Sequence, residues 1–179
     1  MIYESYYWKH PLLKSAKWLE KAIIDDENSE RILARSEREI FIGFYAIRKL
    51  LETFKLSTST KSTTYKLTYF NAVDNAKPDY FNCDKIDKHF NLSAEHHENR
   101  DIGFICNQII HSFIFVFSVS ETGQIEGFYL SSDRMKNEKL YFIPIIIVIQ
   151  LFKLVGEDYP SEKFFMRDPI TGQWKDATE

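Results

Sequence analysis

The chain has 179 residues, 44% hydrophobic and 27% charged, which is the composition of a globular protein and excludes a disordered one. This length corresponds to one domain with enough residues to bury a core, so we predict a single domain over residues 1–179. The formal net charge of −3 argues against a general polyanion-binding protein but is compatible with a local basic patch.

The first third of the sequence is predicted to be helical, over residues 1–56. Pro11 suits the first turn of a helix that continues to about residue 24, with apolar residues at helical spacing. A longer amphipathic helix is predicted over residues 30–54. The segment STSTKSTT, residues 57–64, is a low-complexity connector that we expect to be flexible, and it precedes a mixed α/β part over residues 65–179.

The mixed part is predicted to contain several strands. Tyr65, Leu67 and Tyr69 alternate with polar residues, as in a half-buried strand, and residues 86–92 fit either a short helix or a loop. Further elements are predicted in chain order as strands at 113–120, 125–130 and 138–142, an almost wholly apolar helix at 144–156, and a terminal hairpin from 164–167 and 173–175. We therefore predict an α+β fold in which three or four helices pack against a small antiparallel sheet formed mainly after residue 112.

Three features predict a cytoplasmic protein. The N-terminal segment MIYESYYWKHP lacks the basic start and apolar core of a secretory signal. Two cysteines, Cys83 and Cys106, suit a reducing compartment. The longest apolar run, residues 140–155, contains Pro144 and Lys153 and is short for a membrane span, so we interpret it as core and expect no membrane contact.

The chemically richest stretch is residues 99–120, which we predict to be an amphipathic helix leading directly into a buried strand. Apolar residues occupy one side of this helix, and Arg100, Phe104, Asn107 and His111 lie along the other. An imidazole exchanges protons near neutral pH, and a guanidinium holds a phosphate by two parallel hydrogen bonds. The stripe is therefore either a functional site or the ordinary polar face of an amphipathic helix.

The hexapeptide Cys106-Asn107-Gln108-Ile109-Ile110-His111 resembles the signature of HEPN-type ribonuclease domains. That signature runs arginine, often asparagine, three further residues, then histidine. The resemblance implies a helical bundle that pairs with a second copy and cuts RNA without a metal. Asn107 and His111 match the signature, whereas Cys106 stands where the family has the arginine that holds the phosphate. Arg100 is the nearest arginine on the same predicted stripe.

Two functions follow from this resemblance. Because the motif arginine is missing, we favour a non-catalytic binding or assembly module that acts with RNA or a protein partner, without a cofactor. The alternative is a metal-independent ribonuclease in which His111 is the general acid or base and Asn107 and Arg100 contact phosphate. The many aromatic residues, 15 Phe and 10 Tyr, are also compatible with a self-association surface such as that of a homodimer.

A metal-dependent hydrolase is a second alternative. Four histidines lie between residues 89 and 111, and the ligand types around them suit zinc: His89, His96, His97, His111, Cys83, Asp84, Asp87, Glu95 and Glu98. No recognised ligand spacing occurs among them, so we predict no metal ligand by position.

One basic row lies outside this region. Arg31, Arg35 and Arg38 share one side of the helix predicted over residues 30–54. They form either a phosphate-binding row or, because Glu37 and Glu39 lie close by, a solvated face of mixed charge.

Overall fold

The computed structural model describes residues 2–160 and 164–177, and within these ranges the chain has an α+β fold with six helices and seven strands. The helices are α1 (Tyr6–Leu19), α2 (Ser29–Leu51), α3 (Thr58–Lys61), α4 (Ile86–His89), α5 (Ile102–Ile110) and α6 (Ile145–Glu157). The strands are β1 (Thr64–Asn71), β2 (His96–Asp101), β3 (Ser112–Val119), β4 (Ile125–Ser132), β5 (Lys139–Pro144), β6 (Phe165–Arg167) and β7 (Trp174–Asp176).

Five strands form one antiparallel sheet in the order β2-β1-β5-β4-β3, and β6 pairs with β7 in a separate hairpin. The β3–β4 turn contains Gly123 with φ of +78°, a conformation that a side chain disfavours. Its carbonyl accepts a 2.8 Å hydrogen bond from the backbone N–H of Ile24, so the turn is tied to the loop between α1 and α2.

The two faces of the sheet are covered differently. Helices α1, α2, α5 and α6 pack on one face and form the main core, which contains fully buried Phe44, Phe128, Tyr141 and Phe152. The other face is covered by the chain between β1 and β2, where Phe90 packs on the sheet in a second, smaller cluster. The apolar helix α6 lies between α1 and the strands β4 and β5, as its composition predicts.

Within the ranges given above, none of the helices has the length and apolar character needed to cross a bilayer.

The predicted α+β class is confirmed, but the count of three or four helices is wrong. Four helices are long, and α3 and α4 add two short ones of four residues each. The connector at residues 57–64 contains α3, because the hydroxyl of Ser57 accepts a 3.2 Å hydrogen bond from the N–H of Thr60 and caps the helix. The carboxylate of Asp158 also accepts a 2.8 Å hydrogen bond from the N–H of Ser57.

Helix α1 begins earlier than predicted. Its first residue is Tyr6, and Pro11 lies inside it rather than at its first turn. It ends at Leu19, well before residue 24. The buried face of α1 includes Leu12 and Ala16, and α1 packs against α6. This tertiary contact maintains helical structure before Pro11, although proline is better tolerated in the first turn of a helix.

Two of the five strands of the main sheet precede residue 112, and the sequence prediction missed β2 entirely. The segment HHENRD, residues 96–101, has no apolar alternation, and it forms a strand because all of its residues pair with residues 64–69 of β1. The five-stranded sheet is not part of the helical bundle that the HEPN resemblance implies. The predicted terminal hairpin is confirmed by the pairing of β6 with β7.

Candidate functional site

The helix that carries Asn107 and His111 begins later than predicted. Asp101 is the N-cap of α5, and its carboxylate accepts a 2.7 Å hydrogen bond from the backbone N–H of Phe104. Residues 96–101 are held in β2 by pairing with β1, so Arg100 lies on a strand and not on the helix. The predicted helical stripe from Arg100 to His111 is therefore wrong at its first member.

The remaining members of that stripe line a cleft between the end of α5 and the turn between β4 and β5. Its volume is about 830 Å³. We call it the α5 cleft, and its lining consists of Phe104, Asn107, Gln108 and His111 from α5 and its C-cap, with Ser132, Asp133, Arg134, Met135 and Glu138 from the opposite side.

Gln108 fastens α5 to the opposite wall of the cleft. Its side chain is buried, its Oε1 accepts a 3.3 Å hydrogen bond from the backbone N–H of Ser132, and its Nε2 lies 3.2 Å from the sulfur of Met135. The backbone N–H of Asp133 also donates a 3.0 Å hydrogen bond to the carbonyl of His111. These contacts hold the two walls together, so the cleft is built on rigid elements.

His111 is exposed at the C-terminal end of α5. Its backbone N–H donates a 3.1 Å hydrogen bond to the carbonyl of Asn107, as the C-cap of the helix. In residues 2–160 and 164–177, no side chain or carbonyl is within hydrogen-bonding distance of its imidazole ring. The ring is therefore open to a ligand in the cleft.

Asn107 is held by an arginine that the sequence analysis did not select. Arg48 lies near the end of α2, and its Nη1 donates a 2.5 Å hydrogen bond to Oδ1 of Asn107. The Nε of Arg48 also donates a 3.0 Å hydrogen bond to Glu52, one turn further along α2. Hydrogen bonds from Arg48 and Lys49 lower the pKa of Glu52 below its ordinary value. No sequence signal connects Arg48 with Asn107, because they are 59 residues apart.

Arg100 lies behind the cleft rather than in its lining. Its guanidinium carbon is 4.4 Å from the centre of the Phe104 ring, and its Nε donates a 2.9 Å hydrogen bond to Glu98. Glu98 also accepts hydrogen bonds from the hydroxyl of Tyr141 at 2.5 Å and from Lys139 at 3.2 Å. Burial alone would raise the pKa of Glu98, but these three donors outweigh it and lower that pKa. Arg100 therefore supports Phe104, and its predicted contact with a phosphate stays a prediction.

Further charges at the mouth of the cleft are mixed in sign. Arg134 and Glu138 are exposed. Asp133 forms an exposed 2.8 Å ion pair with Lys136. Within the described ranges Arg134 forms no ion pair, so its guanidinium is available to an anionic ligand. Arg134 was not among the candidate residues of the sequence analysis.

Cys106 lies on the opposite side of α5 from the cleft. It is fully buried, and burial raises the pKa of its thiol to about 12. Cys106 is therefore a core residue, as its place on the apolar face of the helix predicts.

The four histidines between residues 89 and 111 lie on different elements. His96 and His97 are exposed on β2, where His96 stacks on Tyr69 and His97 lies 3.2 Å from the hydroxyl of Thr68. His89 is buried beside Asn82. The part of the chain that the structure describes contains no group of three or more His, Cys, Asp or Glu side chains placed to hold a metal ion. These residues therefore do not form the cluster of ligands that a metal-dependent hydrolase requires.

The chain matches no protein-family model, no curated protein and no solved structure. Its function is therefore argued from the geometry of its own residues.

Proposed function

We propose that this chain binds RNA in the α5 cleft and does not cleave it. The observation that carries the proposal is the 2.5 Å hydrogen bond from Arg48 to Asn107, beside a cleft in which His111 is exposed. It places a guanidinium next to Asn107. In the HEPN-like hexapeptide the residue before Asn107, at the arginine position, is Cys106. A residue of α2 thus supplies the cation that the motif itself lacks.

The cleft offers the chemistry that single-stranded RNA uses. Guanidinium groups such as that of Arg134 bind phosphate oxygens, and the amide of Asn107 can accept or donate to a base edge or a ribose hydroxyl. Phe104 presents an aromatic ring to the cleft, with Arg100 against it, and aromatic rings stack on bases of any sequence.

The expectation that the RNA is not cut follows from the acid–base groups present. Cleavage without a metal needs one group to take the proton of the ribose hydroxyl and another to protonate the leaving oxygen. Within the hexapeptide His111 can serve as one of these groups, but Cys106 is buried with a raised pKa and Asn107 does not titrate, so a second group would have to come from outside the motif.

A metal-independent ribonuclease is the second candidate, and one observation favours it. His111 is exposed in the same cleft as the carboxylate Glu138, so an imidazole and a carboxylate line one site. In this candidate His111 is the general acid or base, and the cut strand lies across the cleft.

Binding of a fluorescently labelled single-stranded RNA, measured by anisotropy, tests the first proposal. Arg134→Ala should weaken binding about tenfold, because a charge-assisted hydrogen bond to phosphate is lost. Arg167→Ala is the matched control, since Arg167 is an exposed arginine on β6, outside the cleft, and it should leave the affinity unchanged. Equal affinity for the wild type and Arg134→Ala would contradict binding in this cleft.

The same RNA, incubated with excess protein and a chelator, separates the two candidates. We expect it to stay intact with the wild type and with His111→Ala. Cleavage that survives the chelator and disappears in His111→Ala would establish the ribonuclease instead.

A further inference from the structure

A second cleft lies between the end of α1 and the start of α2. Its volume is about 740 Å³. We call it the α1–α2 groove, and it is lined by Lys14, Lys17, Trp18, Lys21, Ala22, Ile23, Asp25, Asn28, Ile32 and Arg35.

The groove is strongly basic in a chain whose net charge is −3. Its lining holds four cations and a single carboxylate, that of Asp25. The carboxylate accepts hydrogen bonds from Asn28 and from the backbone N–H of Glu27, so it is already engaged within its own loop. The positive charge of the groove is therefore not neutralised from within.

Three of these cations follow one another at the end of α1. Lys14 and Lys17 lie on α1 at spacing i, i+3, and Lys21 lies two residues beyond its last residue, Leu19. All three are exposed, and none of them forms an ion pair with another residue that the structure describes. Like charges at this spacing repel each other and destabilise a helix. Exposed lysines without acidic partners suit an anionic ligand.

An aromatic platform lies among the lysines. Trp18 occupies the same side of α1, and the guanidinium of Arg35 on α2 is stacked over its ring at 4.4 Å from the ring centre. Arg35 also forms a 3.7 Å ion pair with Glu39, which accepts a 2.6 Å hydrogen bond from the hydroxyl of Ser15 on α1. A planar guanidinium on a tryptophan ring presents a flat surface that bases can stack against.

We propose that the α1–α2 groove is a binding surface for a single-stranded polynucleotide. The lysines contact successive phosphates, and the Trp18–Arg35 pair stacks against a base. Cations and an aromatic platform together are the two components of sequence-tolerant single-strand binding. An acidic peptide would use the lysines but would leave the platform without a role, so the polynucleotide is favoured. The inference does not depend on the α5 cleft.

The test is equilibrium binding of one 12-nucleotide sequence, as RNA and as DNA, over a range of salt concentrations. A variant with Lys14→Ala, Lys17→Ala and Lys21→Ala should bind more weakly, and the slope of log affinity against log salt should decrease in magnitude by about 2. Each phosphate contact contributes about 0.7 to that slope for a single strand. Equal effects on RNA and DNA would show that the groove reads phosphates and bases without the 2′-hydroxyl, and an effect on RNA alone would show that it reads that hydroxyl.

The control carries the same change of charge on another face. Lys77→Ala, Lys85→Ala and Lys88→Ala remove three exposed lysines from the chain between β1 and β2, and this variant should keep the wild-type slope. Stacking is tested by fluorescence, because binding should quench part of the wild-type tryptophan emission and that part should be missing in Trp18→Phe. An intact circular dichroism spectrum for each variant excludes unfolding as the cause.

Identical slopes for the wild type, the groove variant and the control variant would overturn the proposal. Binding of poly-glutamate in the groove, with neither polynucleotide bound, would overturn it in favour of an acidic peptide. Arg134→Ala tests the α5 cleft separately. If the lysine variant weakens binding and Arg134→Ala does not, the groove proposal is supported and the cleft proposal is refuted.

Discussion

Arg48 on α2 donates a 2.5 Å hydrogen bond to the side-chain oxygen of Asn107 on α5. This contact joins the longest helix of the chain to the helix that forms one wall of the α5 cleft. It also fixes the orientation of the Asn107 amide, because a bonded Oδ1 leaves the Nδ2 group directed elsewhere. Arg48 therefore holds this wall in place, and its charge is paired with that of Glu52.

The coupling between these two residues is measurable by a double-mutant cycle. We expect Arg48→Ala and Asn107→Ala each to lower the free energy of unfolding, with an interaction energy of about 0.5–1 kcal/mol in urea denaturation, because the Arg48 side chain is 37% exposed and partly screened by water. Arg38 with Asn107 is the control pair and should show additive effects. Additivity of Arg48 and Asn107 would contradict a stabilising contact.

The two walls of the cleft should separate when Gln108 is changed. Gln108→Leu leaves the buried N–H of Ser132 without its acceptor, so we expect a loss of about 1–3 kcal/mol in the free energy of unfolding. Gln150→Leu, at an exposed position of α6, is the matched control and should change stability by less than about 0.5 kcal/mol. A similar stability for both variants would mean that Gln108 does not hold the walls together.

Tyr141 should make the stability of the protein sensitive to alkaline pH. Burial first, and then the carboxylate of Glu98, raise the pKa of its phenol above its ordinary value of 10.0. A group with a raised folded-state pKa contributes stability that is complete below the unfolded pKa and is lost as pH rises towards the folded value. Above about pH 10 we therefore expect the wild type to lose about 1 kcal/mol per pH unit more than Tyr141→Phe does.

The measurement for Tyr141 is urea denaturation between pH 8 and pH 11. Tyr3→Phe is the control, because Tyr3 is almost fully exposed, and its curve should follow the wild type. Parallel curves for the wild type and Tyr141→Phe would show that the phenol of Tyr141 does not resist ionisation.

Gly43 is a point of close approach between α2 and α6. A Cβ atom at this position would lie 2.2 Å from the ring of Phe152, which is itself fully buried. We expect Gly43→Ala to cost about 1–3 kcal/mol by overpacking. Gly103→Ala is the control, since its nearest neighbour is 3.4 Å away, and it should be neutral or slightly stabilising. Thermal unfolding of both variants distinguishes the two outcomes, and equal melting temperatures would contradict the close packing.

Helices and strands that depend on local residue patterns can be predicted from the sequence alone. Helices α2 and α6 follow from the spacing and density of their apolar residues, and the β3–β4 hairpin follows from two apolar runs separated by a turn with Gly123. The placement of Cys106 in the core and of His111 on the polar side follows from the same periodicity. These features depend on residues within one or two turns of each other, so a single sequence is enough to predict them.

Features that depend on contacts between distant residues are visible only in the folded chain. The segment HHENRD is a strand because β1 pairs with it, and that pairing removes Arg100 from the helix where periodicity placed it. Arg48 reaches Asn107, and Arg35 reaches Trp18, only after α2 has packed against α5 and α1. Contacts of this kind depend on how whole helices and strands pack against each other. Neither periodicity nor a motif within one stretch of the sequence indicates that packing.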